Sequence, residues 1–140
     1  MAQQSALEAV ATAVYGLLNV AGYTSLSGIY NDIPQNPTMP YTLLGNYREL
    51  RRDSTFQVPG KNVAFDVHVV VNADTNAGEL KGMQIVSKAI ELVHDQRPTV
   101  TNHGLIRLSY ERTESFSELV NGVRFLNHVA LFEAWVDQTA

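Results

Sequence analysis

The stretch Leu105–Val136, LIRLSYERTESFSELVNGVRFLNHVALFEAWV, decides the fold. It reads as two extended, apolar strands around a polar turn. Gly104–Tyr110 is one strand, and Val120–Val136 holds the other. Glu111–Glu118, charged and rich in hydroxyls, lies between them and is too long for a two-residue turn. Asn121-Gly122 is a second candidate turn, which would make Ser115–Val120 a small extra strand or an irregular loop. Along the last strand Val123, Phe125, Asn127, Val129, Leu131, Glu133 and Trp135 alternate with Arg124, Leu126, His128, Ala130, Phe132, Ala134 and Val136. Both faces are mostly apolar. Such a strand is either central in its sheet or covered by a partner. No catalytic arrangement is visible on this stretch, so the chemistry expected is that of surface and edge.

Upstream, Ser5–Leu18 reads as a helix. Leu7, Val10, Val14, Leu17 and Leu18 recur at spacings of three and four, which gathers them on one face. Ser5 followed by Glu8 has the pattern of a capping box, and Asn19 with Gly22 offers the exit. Tyr23–Pro40 is polar and punctuated by Gly and Pro, with a short apolar pair at Ile29 and Tyr30. Pro34, Pro37 and Pro40 follow at three-residue spacing. They read as an irregular loop in preference to a polyproline-like stretch. Tyr41–Leu44 is a short strand. Asn46–Thr55, with Arg48, Glu49, Arg51, Arg52 and Asp53, is a solvated connection or that strand's polar continuation. Gly60 marks a turn. Asn62–Val71 alternates Ala64, Asp66, His68 and Val70 against Phe65, Val67, Val69 and Val71, the pattern of a half-buried strand. Asp74–Gly78 turns into a second helix, with Asn76 as its cap and Glu79 in its first turn. Leu80, Met83, Val86, Ile90 and Val93 form its expected stripe, widened by Ile85, Ala89 and Leu92. Lys81, Lys88 and Glu91 lie on the other side, and Pro98 ends the region.

The order helix, two or three strands, helix, two strands fits an α+β fold. The expected form is a mainly antiparallel sheet of four to five strands with two helices packed on one face. The other face and the edges stay uncovered, as places for a second copy to dock.

At 140 residues the chain is expected to be one domain, 1–140, large enough to bury a core without staples. It has no cysteine, which excludes disulfides and thiolate metal sites. Ten Lys and Arg against fourteen Asp and Glu leave a net charge of −4, so tight attraction to a phosphate backbone is not expected. No apolar run is long enough to span a bilayer, and the N-terminus lacks the basic region and apolar core of a signal peptide. A soluble protein without a membrane partner is the expectation.

The search for a catalytic or metal site yields little. His68, His94, His103 and His128 have no ligand spacing. Asp66 and His68 share one strand face, and His128 is a candidate to face them across the sheet, but a third partner is missing. Gly22, Gly28, Gly45, Gly60, Gly78 and Gly82 are scattered and make no phosphate loop. Asp66 with Asp74 or Glu79 reads as a solvent face and a helix N-terminus, where negative charge is favourable. Arg48, Arg51 and Arg52 are the best basic feature. They read as a solvated loop balanced by Glu49 and Asp53, or else as a contact for nucleic acid or, in preference to DNA, for a partner's acidic ring.

A resemblance runs along nearly the whole chain. It is carried by GIYNDIPQNPTMPYTLLG at 28–45, VAFDVHVVV at 63–71, NAGELKGMQIVSKAIELV at 76–93, GLIRLSYERTES at 104–115 and GVRFLNHVALFEAWV at 122–136. Tyr30, Pro34, Pro40 and Tyr41 are its most specific positions. The chain resembles the small tail-completion or head–tail joining proteins, similar to tail terminators, of long-tailed bacteriophages and related prophages. That resemblance implies a homohexameric ring that caps the tail tube and presents the surface joining the head. It implies three partners: further copies of the chain, the tail-tube protein and a head connector protein. DNA would pass through the lumen without specific binding. The place implied is the tail–head junction of the virion, reached through assembly in the host cytoplasm. No catalytic, cofactor-binding or metal-binding residue is implied. Tyr23–Pro40, Asn46–Gly60 and Glu111–Glu118 are the expected contact loops. The alternatives are another neck or tail-tube component, a binding module that adds its edge strand to a partner, or a small hydrolase or transferase using His68 or His128.

Overall fold

In a computed structural model, residues 4–32, 35, 39–55, 58–74 and 78–139 are described. Pro34, Pro37 and the expected cap Asn76 lie outside them. The element order is α1 (Leu7–Leu18), α2 (Ala21–Thr24), β1 (Gly28–Tyr30), β2 (Tyr41–Thr55), β3 (Val58–Asn72), α3 (Gly78–Val93), β4 (His103–Val120) and β5 (Val123–Gln138). The strands form one sheet in the order β1-β2-β3-β5-β4. Only β1 and β2 run parallel; the other pairs are antiparallel. The expected α+β plate is therefore the fold. The stretch 23–40, expected as loop, also contributes part of the four-residue helix α2 and the short edge strand β1.

Two long hairpins make up most of the sheet. Asn121-Gly122 is the turn of the second one. Both residues have positive φ, 51° and 79°, and Val120 pairs directly with Val123. A two-residue turn of this hand matches the twist of its strands, and Asn-Gly adopts it at least cost. Glu111–Glu118 is therefore not a connecting loop but the outer half of an 18-residue strand. Asn46–Thr55 is likewise strand, the continuation of β2. Gly60 sits inside β3 and is not a turn. A Cβ there would lie 2.3 Å from the Arg52 carbonyl oxygen, so the close approach of β2 requires glycine.

A bulge sets which β2 residues face the core. Between Gly45 and Arg48, β2 advances three residues while β3 advances two, from Asp66 to Ala64. The extra residue switches the alternation, and Asn46 takes a φ of 54° there. Tyr47, Glu49 and Arg51 thus share the face of Val63, Phe65, Val67, Val69 and Val71. Those five residues of β3 are buried. An aromatic row crosses this face: Tyr47 stacks on Phe65, Phe65 on Phe132, and Tyr110 meets Phe132 edge-on, at centroid distances of 5.6, 5.4 and 5.7 Å. The last strand is internal, between β3 and β4, and its even-numbered residues share the helix-covered face with Phe65 and Val69. Phe132 is consequently part of the core and offers no surface to a neighbour.

The two longer helices cover this face. α1 buries Val10, Val14 and Leu18 against β2 and α3. Full burial of such side chains is worth roughly 1.5–3 kcal/mol each. α3 lies over β3 and β5 and buries Gly82, Ile85, Val86, Ala89 and Val93. Its stripe is turned from the expected one, and Leu80 and Met83 are 69% and 47% exposed. The reason is Gly82. A Cβ at that position would lie 2.7 Å from the His128 ring and 3.2 Å from Val71. The helix comes down on its glycine face, which rotates Leu80 and Met83 outward. Half of the expected capping box is present, since the Ser5 hydroxyl accepts from the Leu7 backbone N–H at 3.3 Å, and the Glu8 half is replaced. The Glu49 carboxylate accepts from the Ala6 backbone N–H at 2.7 Å and from the Ser5 hydroxyl at 3.0 Å. A β2 side chain, not Glu8, therefore holds the N-terminus of α1.

Candidate functional site

The feature the fold leaves unsatisfied is the outer rim of its sheet. β4 is one terminal strand, and its inner half is capped by the segment that follows α3. The Arg97 guanidinium donates to the carbonyls of Leu105 and Ile106, at 3.2 and 2.8 Å. The Asp95 backbone N–H donates to the Leu108 carbonyl, and the Tyr110 N–H donates to His94 Nδ1 at 3.0 Å. This is how a strand edge is blunted against pairing. The capping stops at Tyr110. Among the described residues, no segment pairs with the outer side of 111–120. That half is exposed except for half-buried Thr113, with Phe116 50% and Leu119 72% exposed.

The opposite rim repeats the arrangement. β1 pairs only with Tyr41, Thr42 and Leu43. From Leu44 onward, no strand among the described residues lies outside β2. This uncovered segment carries Arg48, Arg51, Arg52 and the 68% exposed Leu50. Both hairpins also project. The pairs Leu119–Arg124 and Val120–Val123 lie beyond the last residue of β3, which pairs with Phe125. Pro59 and Val58, paired with Asp53 and Thr55, lie beyond the Gly60–Asp137 pair. The two tips point out of opposite ends of the sheet.

The sheet face away from the helices, the more polar of the two, mixes apolar residues such as Leu131 and Val129 with charged groups that are internally paired. Arg48 meets Asp66 at 3.4 Å, and Asn46 donates to the same carboxylate. Arg52 donates to Asn62 and reaches Asp137 at 3.2 Å. Arg48 and Arg52 therefore lie on a strand face with local partners and not in a solvated loop, while Arg51 is on the opposite face of the same strand. Trp135 lies between Arg52 and Arg107, whose guanidinium carbons are 5.4 and 4.6 Å from its ring centroid. Its indole N–H donates to Glu133. Stacking of this kind keeps a large aromatic ordered on a surface that no helix covers.

The histidines do not assemble. His68 and Asp66 share the polar face, and His68 bonds Asn127 at 2.7 Å, which in turn donates to Glu118. His128 lies on the other face, because it pairs with Val69 and so shares that residue's side of the sheet. The juxtaposition of His128 with Asp66 and His68 is thus ruled out by register. His128 Nδ1 bonds the Ser115 hydroxyl at 2.7 Å, while Nε2 is buried beneath Gly82 with no described partner. Burial lowers its pKa, and the charge of Glu79 opposes that in part. A serine–histidine pair is present, but no carboxylate bonds its far nitrogen and the helix backbone covers it. His94 ends the edge cap of β4, and His103 Nδ1 is 2.8 Å from the Thr101 carbonyl oxygen. Asp66 is separated from Glu79 by the thickness of the sheet. Among the described residues, no group of three or more His, Asp or Glu is placed to hold a metal. No helix among them is long and apolar enough to cross a membrane.

The uncovered rim was partly visible in the alternation of Tyr47, Glu49 and Arg51 with Arg48, Leu50 and Arg52. Its charge masked that signal.

Comparison with known proteins matches the chain to a family. Residues 5–137 match the family described as "Tail completion protein gp17". The chain belongs to this family of phage tail-completion proteins, which gives it a structural role in a virion. No curated protein matches the chain. A chain in the solved structure "Virion of native gene transfer agent (GTA) particle" is similar to it in fold, with a TM-score of 0.79 at 19% identity. That similarity covers 96% of this chain and 99% of the other.

Proposed function

We propose that this member of the tail-completion family caps the tail tube as a closed ring of copies and forms the surface that receives the head. The observation that carries the reading is the family match over residues 5–137, on a fold with two uncovered strand edges. Two unlike edges on one chain favour head-to-tail contacts, which close into a ring when the rotation permits. A hexamer is the form expected from the resemblance to tail terminators. Its neighbours would be the tail-tube protein on one side and a head connector on the other, at the tail–head junction. Copies made in the host cytoplasm would join the tail there. DNA would pass through the lumen, and a chain of net charge −4 suits a channel that must not grip phosphate. The reading assigns no catalytic step, cofactor or membrane contact.

The test is an elongation assay with purified tail-tube protein. Added chain is expected to halt tube growth and leave tubes that bind heads. Growth of the chain into filaments by itself would instead identify a tube component. Tubes that keep elongating with the chain unbound would contradict the reading.

A further inference from the structure

The two uncovered edges differ in charge, and that difference says what each one meets. On the β4 segment Glu111, Glu114 and Glu118 outnumber Arg112. On the β2 segment Arg48, Arg51 and Arg52 outnumber Glu49 and Asp53; the Glu49 carboxylate is turned to the start of α1, and Arg48 and Arg52 also meet Asp66 and Asp137 of their own sheet. We infer that residues 111–120 of one copy pair, strand to strand, with residues 44–55 of the next copy, so that the sheet continues across the subunit boundary. This rests on the ring reading above and adds which surfaces make the ring.

Three observations converge on this pairing. The first is selective capping. Residues 94–97 cover the β4 edge as far as Tyr110, and β1 covers β2 only as far as Leu43. What remains on each side is a segment about ten residues long, enough for a full strand pair. The second is sign. Two β4 segments facing each other would oppose acid to acid, whereas β4 against β2 opposes acid to base. Exposed ion pairs add little cohesion, but they choose the partner and speed encounter. Backbone hydrogen bonds and the exposed Leu50 and Phe116 supply the cohesion. The third is direction. β2 is antiparallel to β3, β3 to β5, and β5 to β4, so β2 and β4 run in opposite directions. A neighbour placed alongside thus presents β2 antiparallel to β4, the commoner pairing.

The segments sit at diagonal corners of the sheet. Arg51 is level with Lys61, whereas Ser115 is level with His128 and so with Val69. The offset along β3 from 61 to 69 is roughly 27 Å at ~3.4 Å per residue. A sheet that closes with such a stagger must tilt its strands to the ring axis, as the strands of a barrel do. The pairing therefore implies strands inclined to the ring axis.

The chain has no cysteine, so single introduced thiols can be read without background. Leu50→Cys and Glu114→Cys place one thiol on each edge, both on the face away from the helices. The full-length variants are mixed, assembled on tail tubes and treated with a flexible bismaleimide. Covalent dimers are expected in the mixture and not in either variant alone, and a ladder is expected from the chain carrying both. Dimers from Glu114→Cys alone would overturn the inference, because β4 would then be meeting β4. Rings visible by electron microscopy without cross-links would also overturn it and leave the ring reading intact. The absence of any oligomer on the tubes would remove both.

Discussion

Two tyrosines with buried hydroxyls, Tyr23 in the core and half-buried Tyr47, show how much a hydroxyl is worth here. Tyr23 and Tyr47 both have pKa values pushed up to about 12, chiefly by burial. The Tyr23 hydroxyl bonds Thr42, which also bonds Ser27. The Tyr47 hydroxyl is buried with no described partner. Tyr23→Phe is expected to lower stability by about 1–2 kcal/mol, since it strips a buried partner from Thr42. Tyr47→Phe is expected to leave stability unchanged or raise it by about 1 kcal/mol, since the desolvation cost disappears while the ring stack on Phe65 stays. Denaturant melts of both variants distinguish the cases. His128 adds a pH effect. Its folded pKa lies below the ordinary 6.5, so the unfolded chain takes up the proton at higher pH than the folded one. The stability tied to this group is complete above pH 6.5 and is lost as pH falls through and below it. His128→Gln is expected to flatten the loss of stability between about pH 7.5 and about pH 5. Equal slopes in wild type and variant would show that the ring pays no burial penalty.

Each element is held by a contact from far along the chain, and this decides what was legible in the sequence. The α1 stripe of Val10, Val14 and Leu18 was legible because helix periodicity is local. Its cap was legible only at Ser5, because Glu49 reaches Ala6 across 43 residues while Glu8 offered a local pattern. Glu49→Ala is therefore expected to cost about 1–2 kcal/mol and Glu8→Ala only a few tenths, as measured by equilibrium unfolding. The reverse order would return the cap to the local box. The β3 alternation was legible because Val and Phe mark the buried side. The outer half of β4 read as a loop, and that of β2 as either a solvated connection or a polar continuation of the strand, because their residues are charged or hydroxylic. Charge there reflects an exposed edge and not an absence of strand. The Asn121-Gly122 turn was visible as an alternative, but the long polar stretch before it drew the hairpin turn to the wrong place. The site followed the same rule. Side-chain faces were legible within β3, yet the face of His128 depended on a register that only the folded sheet defines.

At the scale of the whole molecule, the fold is a plate with one face closed and two edges half open. α1 and α3 close the core face, while the polar face is stabilised by its own ion pairs and by the Arg52–Trp135–Arg107 stack. Residues 94–97 and β1 each cover one edge for part of its length and stop. This partial capping distinguishes the chain from a plate built to remain alone, whose edges would be blunted throughout. It is the physical counterpart of membership in the tail-completion family, because completing a tail requires surfaces that wait for a neighbour. The central claim is that these surfaces close into a ring on the tube end. It is tested most directly by end-on electron-microscopy averages of tail tubes incubated with the chain. The account predicts a closed ring of equivalent densities, six by the family resemblance, at one end of each tube only. Copies scattered along the tube wall, or isolated densities with no closed contact between them, would contradict it.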